Sequence, residues 1–482
     1  MKSMTKYFIV VMAMVVILTI PISCSDQLDI NTNPLTASSA DPNVVLPFVI
    51  VQYSNRKTTE IGLRMMDVWQ HISNIFNSPK GGGNAAGGFL SGNFWGMLYP
   101  QAIKNLVLVE NEAKAKGVTN NNIAAVAITL RALVFYDITA CWESAPFTQA
   151  MNGAQFPSPE FDDQETILNG IVDLCDEAMA LIDAMPATGN ALLTGDLIYN
   201  GDMTLWRRFA NSLKLRVLMM IRNKDTSVDT EIAATLGQPL IETNAHAAML
   251  KYSGTAGNVN AWLQLVTAFG TGSNETTNYC GPSPVIRDLL EGDPRLELWC
   301  VDGTNGNYEA SDIGIFPNAT KARISNNVIR GNLPDAWFLP AEVTLYRAEL
   351  AAKGVIAGNV NDLYRQGVTL SLQWWGGAIP GAQKTLTPTE ISNYVNSLPD
   401  ITGLTQNEQL QAIGEEQYLQ TFWMPIEAWT HVRRTKIPDI QAAPGSTITT
   451  MLKRLQWSPT EVSANPNNPI QQLTDVPMWF EN

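Results

Sequence analysis

The sequence predicts a mainly α protein, a scaffold of paired helices with a loop-rich remainder, and three observations support this. Apolar residues recur at three-and-four spacing through several long blocks, the period of a helix with one buried face. One alanine-rich block opens on proline and closes on glycine, which is how a helix begins and ends. Between the blocks lie three long stretches rich in glycine, amide and aromatic residues and free of charge runs. Loops of that length carry function or stay disordered, and their composition favours order.

Taken from its start, the chain opens with Lys2 and Lys6, an apolar run from Tyr7 to Ile20, and Pro21, Ile22 and Ser23 ahead of Cys24. A cationic start, a short apolar core and small residues before a cut are the parts of an export signal. The run is too short to span a bilayer comfortably. Ile22 and Ser23 suit a bacterial lipoprotein signal, while Pro21 replaces the usual aliphatic residue, and an ordinary secretory peptide is the alternative. The expectation is that residues 1–23 are removed and that Cys24 is lipidated, its acyl chains holding the protein to a bilayer at about 0.8 kcal/mol per buried methylene. No later stretch reads as apolar enough to span, and no shift of composition marks a linker, so residues 24–482 read as a single domain.

Ile123, Ala127, Leu130, Val134 and Ile138 predict one helix, and Ile167, Ile171, Leu174, Ala178 and Leu181 a second. The second follows a Pro157-Ser158-Pro159 turn and Asp162-Asp163, acids that favour the positive end of a helix dipole. A third carries Trp206, Phe209, Leu213, Val217 and Met220 on one face, with Arg207, Arg208 and Lys214 off it. Residues Pro340 to Lys353 form the block between proline and Gly354, where Ala341, Ala348 and Ala352 allow a neighbour to approach closely. With the amphipathic segment from Val360 to Trp374 it resembles one helix–turn–helix unit of a tetratricopeptide-like array, although no strict repeat of about 34 residues is visible. The three irregular stretches run from Ser78 to Gly92, Tyr252 to Pro284 and Val301 to Pro334.

The formal net charge is −14, and loss of Lys2 and Lys6 with the signal makes it two units more negative. Such a balance argues against nucleic acid and against binding of anionic lipid through the body. Of 13 tryptophans, most should serve the core and some a ligand surface. Cys141 and Cys175 fall on apolar helix faces as small core residues. Cys280 and Cys300 lie in loop-rich sequence and are candidates for a disulfide in an oxidising compartment.

The common catalytic signatures HExxH, GxSxG and GxxxxGK[ST] are missing, as is a dinucleotide fingerprint after a strand. His71, His246 and His431 are far apart. The stretch from Asp302 to Ile313 lacks the ligands of a calcium loop at its third, fifth and twelfth positions and reads as a polar turn. Glu415-Glu416 and Asp162-Asp163 are adjacent carboxylates that point apart on a helix. Glycoside hydrolysis needs two carboxylates that face each other, which distant residues can supply, so an envelope glycoside hydrolase on an all-helical scaffold is an alternative. No catalytic residue, metal ligand or cofactor is assigned. Binding of a sugar needs flat aromatic faces beside amides, and the loops supply both. Asn74, Phe76 and Asn77 precede the glycine-rich stretch, Trp262, Asn278 and Tyr279 lie in the second, and Trp337 ends the third, which makes them the candidate ligand-binding set.

An ordered series of blocks resembles the SusD/RagB family of outer-membrane lipoproteins, in its SusD-like branch, over nearly the whole chain. The blocks are Cys24 with LDINTNP at 28–34, LRALVFYDIT at 130–139 running into APFTQA at 145–150, and GDLIYNGD at 195–202 with Trp206 and FANSLKLR at 209–216. DPRL at 293–296, AEV at 341–343, and Glu427 to Trp429 through Arg433 to Thr435 complete it. The resemblance implies a tetratricopeptide-like scaffold with a loop-rich portion that captures glycans, or in some branches peptides. It further implies a TonB-dependent, SusC-like outer-membrane transporter as partner and no catalysis. Ser25-Asp26 resembles the surface-export signal of such lipoproteins, which implies an outward-facing protein anchored in the outer membrane. The quoted blocks are mainly scaffold, and a purely structural partner of the transporter is a further alternative.

Overall fold

The computed structural model describes residues 41–481 apart from 63–64, 74–87, 270–279, 314–317 and 443–447, and of residues 88–91 and 268–269 it describes the backbone alone. Cys24 and its signal lie outside the described residues, as do Asn74, Phe76, Asn77, Asn278 and Tyr279.

Helix α1, Pro42–Arg56, starts where the Asp41 carboxylate accepts from the Asn43 amide, and it runs on as a π-helical turn, Lys57–Gly62. Then come α2 (Gly88–Met97), α3 (Lys104–Lys116), α4 (Asn121–Trp142), α5 (Gln164–Asp183), α6 (Met203–Lys224) and α7 (Asp229–Leu236). The expected acidic start of α5 is real: Asp163 accepts from the Thr166 amide at 2.8 Å. Asp202 caps α6 in the same way, through the amides of Thr204 and Leu205. Helix α4 packs between α3 and α5, and α6 packs on α5. Every residue of α4 except Arg131 is buried, so this helix has no polar face at all. That corrects one expectation. Val118–Trp142 is long enough, and over 18 of its residues apolar enough at a mean hydropathy of 1.7, to cross a membrane, yet 94% of those 18 residues are buried inside the protein.

The second half contains α8 (Ala261–Phe269), α9 (Pro284–Leu289), α10 (Arg295–Trp299), α11 (Pro340–Ala352), α12 (Val360–Gln373), α13 (Pro388–Ser397), α14 (Gln406–Gln420), α15 (Pro425–Thr435) and α16 (Pro459–Ala464). Helices α11 and α12 form the expected pair, and α14 packs on α11. The close approach comes from α12 as well as from the alanines of α11, since a Cβ on Gly367 would stand 2.5 Å from Leu345. Capping boxes begin α13 (Thr387 with Glu390) and α14 (Thr405 with Glu408).

Six short strands make three antiparallel two-stranded ladders: β1 (Ile72–Ser73) with β3 (Gly281–Pro282), β2 (Ala248–Leu250) with β6 (Asp335–Phe338), and β4 (Cys300–Val301) with β5 (Arg323–Ile324). No disulfide joins Cys280 to Cys300. Both are buried thiols on either side of Ile324, whose amide donates to the Cys280 carbonyl and which pairs with Cys300 across the ladder.

Buried charges tie the helices together. Arg216 of α6 donates to both carboxylate oxygens of Glu342 on α11 at 2.7 and 2.8 Å, to Glu427 on α15 at 3.1 Å, and to the Trp337 carbonyl on β6 at 2.8 Å. Arg434 of α15 grips Glu349 of α11 through both oxygens at 2.7 and 2.8 Å, and Gln417 of α14 donates to the same group. Arg295 of α10 joins Glu416 of α14 at 2.6 and 2.7 Å to Asp293 and to the Ser371 hydroxyl on α12. Removing one partner of such a pair costs about 3–5 kcal/mol, because the other is left buried and uncompensated.

Beside Arg216, Tyr53 donates to Asp137 at 2.6 Å. Burial, with the charge of Glu427 close by, pushes the Asp137 carboxyl up to about 8. The folded protein therefore keeps a proton there that the unfolded chain releases near pH 4. Between those values the folded state binds more protons, so stability falls as pH rises, by up to about 1.4 kcal/mol per pH unit from this group. Urea denaturation from pH 5 to 9 should show that decline, and Asp137→Asn should flatten it; a pH dependence unchanged in the variant would contradict the assignment.

Candidate ligand-binding site

The second and third irregular stretches join each other and the strand that precedes the first. The β1–β3 ladder pairs Ile72 with Pro282 and Ser73 with Gly281, so the segments that carry Asn74, Phe76, Asn77 and Asn278, Tyr279 leave the fold from one stem. Through the bond from the Ile324 amide to the Cys280 carbonyl, at 3.0 Å, β3 lies against β5, and β5 with β4 brackets the stretch 302–322. Ser73 also donates to the Asp312 carbonyl at 2.5 Å. Residues more than two hundred positions apart thus join β1, β3 and β5 in a common base.

Beneath that base is an aromatic floor. Trp299 stacks on Phe422 at 3.9 Å and 9°, and Trp375 stands edge-on to both rings. Phe422 adjoins Trp423, which meets Trp262 at 4.6 Å. His71 packs on Tyr418 and Phe422, with its Nε2 3.2 Å from the Tyr418 carbonyl. Burial lowers the His71 pKa to about 3, so it is a neutral part of this floor. Burial lowers His431 to about 3 as well.

Two expected ligand contacts are corrected here. Trp262 is 3% exposed and lies so close to the π-helical turn that a Cβ on Gly62 would stand 3.1 Å from its ring. Trp337 is 0% exposed, sits edge-on to Tyr53, and donates its indole N–H to Asp335 at 2.7 Å. Each stands on a regular element, Trp262 on α8 within the second stretch and Trp337 on β6 just past the third, and each ring is turned into the core.

One cleft opens beside the loop stems. It encloses about 680 Å³ between Arg287, Asp288 and Leu296 on one side and Asn307, Tyr308, Glu309 and Lys321 on the other. Its cations are partly neutralised, Arg287 by Asp288 and Glu291 at 3.3 and 3.0 Å and Lys321 by Glu309. The half-buried Tyr308 ring with amide, carboxylate and cationic neighbours is chemistry suited to a hydroxylated ligand, at a volume typical of small-ligand sites. Residues 302–307 form the expected polar turn, closed by the Gly303 amide on the Asn307 carbonyl at 3.0 Å. No cluster of acids, histidines and cysteines able to hold a metal occurs among the described residues. Asn307-Tyr308 is the same amide–aromatic pairing as Asn278-Tyr279, and that signal was open to sequence reasoning but unused. A second cleft of about 440 Å³, between α12 and α13, is lined by Leu386, Ile391 and Val395 and lies on the scaffold.

The adjacent carboxylates are structural. Asp162 accepts the amides of Phe147 and Thr148, Asp163 caps α5, and Glu416 is held by Arg295, leaving Glu415 with Gln411.

A family model described as "Starch-binding associating with outer membrane", SusD-like, matches residues 49–457. The chain belongs to the SusD-like family. Solved structures share its fold. A Bacteroidetes AC2a SusD-like protein superposes with a TM-score of 0.77 at 19% identity, over 92% of this chain and 100% of that one. A chitin-binding protein does so at 0.74 and 21%, over 92% and 100%, and a chitin-binding SusD homolog from Flavobacterium johnsoniae at 0.73 and 20%, over 92% and 97%. No curated protein matches the chain. The mainly helical, tetratricopeptide-like architecture is therefore that of SusD-like proteins, a family of nutrient-binding proteins associated with the outer membrane. Its recognition blocks map onto the buried ion network, at Arg216, Asp293, Arg295, Glu342, Glu427 and Arg434, and so onto scaffold.

Trp262→Ala and Trp337→Ala should each cost about 3–5 kcal/mol of stability in chemical denaturation. A loss below about 1 kcal/mol would return that ring to the surface.

Proposed function

We propose that this protein is a cell-surface lipoprotein that captures an oligosaccharide, or a peptide, and delivers it to a TonB-dependent, SusC-like transporter without catalysing a reaction of its own. Residues 1–23 are its signal, Cys24 carries the lipid that fixes it to the outer membrane facing outward, and residues 24–482 act as one binding unit. The observation that carries this reading is the joining of the β1, β3 and β5 stems beside an aromatic cluster in a chain of the SusD-like family. A glycan is the favoured ligand, in keeping with the family description and with two chitin-binding structural neighbours. The loop residues Asn74, Phe76, Asn77, Asn278 and Tyr279, joined by Tyr308 of the cleft, are its proposed contacts. A rigid base lowers the entropy lost when ligand docks, which favours capture by loops that share one stem.

Calorimetric titration with starch, chitin oligosaccharides and peptides should give saturable binding to one of them with no turnover. Phe76→Ala, Tyr279→Ala and Tyr308→Ala should each weaken it by roughly tenfold or more, the loss of an aromatic hot spot, with Tm within about 2 °C of the parent. Hydrolysis of a bound oligosaccharide would establish the hydrolase alternative instead, and no binding to any ligand would leave a structural partner of the transporter. In cells, Cys24→Ala should lose both membrane association and labelling by a palmitate analogue; a variant that stayed membrane-bound would show that Cys24 is not the anchor.

A further inference from the structure

Among the buried arginines, Arg216, Arg295, Arg434 and Arg454 are held by carboxylates, and Arg433 donates to the carbonyls of Ala140 and Lys453 above the Trp429 ring. Arg330 differs. It is 4% exposed, and its Nη2 donates to the Pro380 carbonyl at 2.9 Å. Its Nε and Nη1 are buried with no acceptor among the described residues. Burial lowers its pKa, but only to about 10, so it remains a cation at neutral pH.

Its surroundings share the mismatch. Asn327 accepts through Oδ1 from the amides of Gln383 and Lys384 at 2.8 and 3.2 Å, and its buried Nδ2 has no acceptor among the described residues. Trp375, on the turn that leads into the same segment, has a buried indole N–H in the same condition. Arg330 and Asn327 thus both reach the segment 380–384, whose residues 381, 383 and 384 are exposed. At its rim the Lys384 ammonium donates to the Glu297 carbonyl at 3.1 Å. The backbone is drawn in tightly around them: a Cβ on Gly381 would stand 2.2 Å from Asn332, and one on Gly331 would stand 3.3 Å from Gly254.

A buried cation without a counter-charge is costly, and a guanidinium fork is matched best by a planar group with two anionic oxygens. We propose that Arg330 and Asn327 form an oxyanion subsite beneath the 380–384 segment, which takes the carboxylate of an acidic, uronic-acid-type sugar, with Lys384 as the outer charge. On this proposal, entry of the ligand requires the exposed 380–384 segment to move aside and release the Pro380 carbonyl from Arg330. This inference rests on the reading that the loop-rich half receives a glycan, and it narrows the class of glycan.

The test compares the full mature chain with Arg330→Met and Arg216→Met by thermal unfolding, with galacturonate oligomers, neutral galactose oligomers and inorganic sulfate at one ionic strength. Galacturonate should raise the parent Tm by roughly 2–4 °C in a concentration-dependent way, and Arg330→Met should abolish that rise. Without ligand, Arg330→Met should keep or raise Tm, because it removes an unmatched charge, whereas Arg216→Met should lower it steeply. The subsite is overturned if galacturonate gives no rise in the parent or an equal rise in Arg330→Met, or if Arg330→Met unfolds as readily as Arg216→Met. A rise with sulfate but none with galacturonate overturns the sugar assignment. Saturable binding of starch or chitin oligosaccharides without any galacturonate effect would sink this inference and leave the nutrient-binding reading standing.

Discussion

The bidentate arginine–carboxylate bridges are the constraint on which the rest of the structure depends. Apolar helix faces attract without direction, and a bundle of amphipathic helices can slide or rotate at little cost. A guanidinium fork on a carboxylate admits one distance and one plane. Arg216 joins α6, α11 and α15 at a single point, Arg434 joins α15 to α11 with α14 on the same carboxylate, and Arg295 joins α10 to α14 with α12 alongside. These links lie 126, 211, 85 and 121 residues apart along the chain. Their net contribution to stability is small once desolvation is counted, and their effect is to select one packing among many.

That packing carries through to the ligand face. Arg216 also holds the Trp337 carbonyl, which ties β6 to α6, the Trp337 ring meets Tyr53 of α1, and α15 follows directly on the Phe422-Trp423 part of the aromatic floor. The floor supports the β1–β3 stem, and the stem sets the points from which the loops depart. A stem built from backbone bonds places no demand on side chains beyond it. Loop composition can therefore suit one ligand or another while the base stays as it is.

Much of the scaffold was legible in the sequence because a helix advertises itself through a local period. The block from Pro340 to Ala352 begins at the residue that the proline predicts, and Asp163 caps α5 where the acids suggest. The irregular stretches were less legible: residues 88–92 open α2 and α8 interrupts the second stretch, and the joining of β1, β3 and β5 at one base was not legible at all, since two-residue strands leave no pattern. Trp262 and Trp337 were misplaced for a related reason: α8 is a short helix within loop-like sequence, β6 a short strand at the edge of it, and nothing local reveals which way a ring turns. The bridges of Arg216 and Arg295 join residues with no sequence signal of pairing. Tyr308 stood beside an asparagine, as Tyr279 does, and the two were equally visible.

Helix α4 has one more consequence, for the journey to the envelope rather than for the folded state. On the proposed route of export the chain passes the translocation channel unfolded, before α3 and α5 exist to cover the Val118–Trp142 stretch. A segment of that length and hydropathy is one the channel can release sideways into lipid. Arg131 and Asp137 sit within it, and a charged residue near the middle of such a stretch opposes insertion by roughly 2.5–3.5 kcal/mol. Arg131 binds Glu110 at 2.8 Å in the finished protein, and Asp137 binds Tyr53. On that route the two side chains that bind Glu110 and Tyr53 in the finished protein would also oppose insertion of the nascent chain into the membrane.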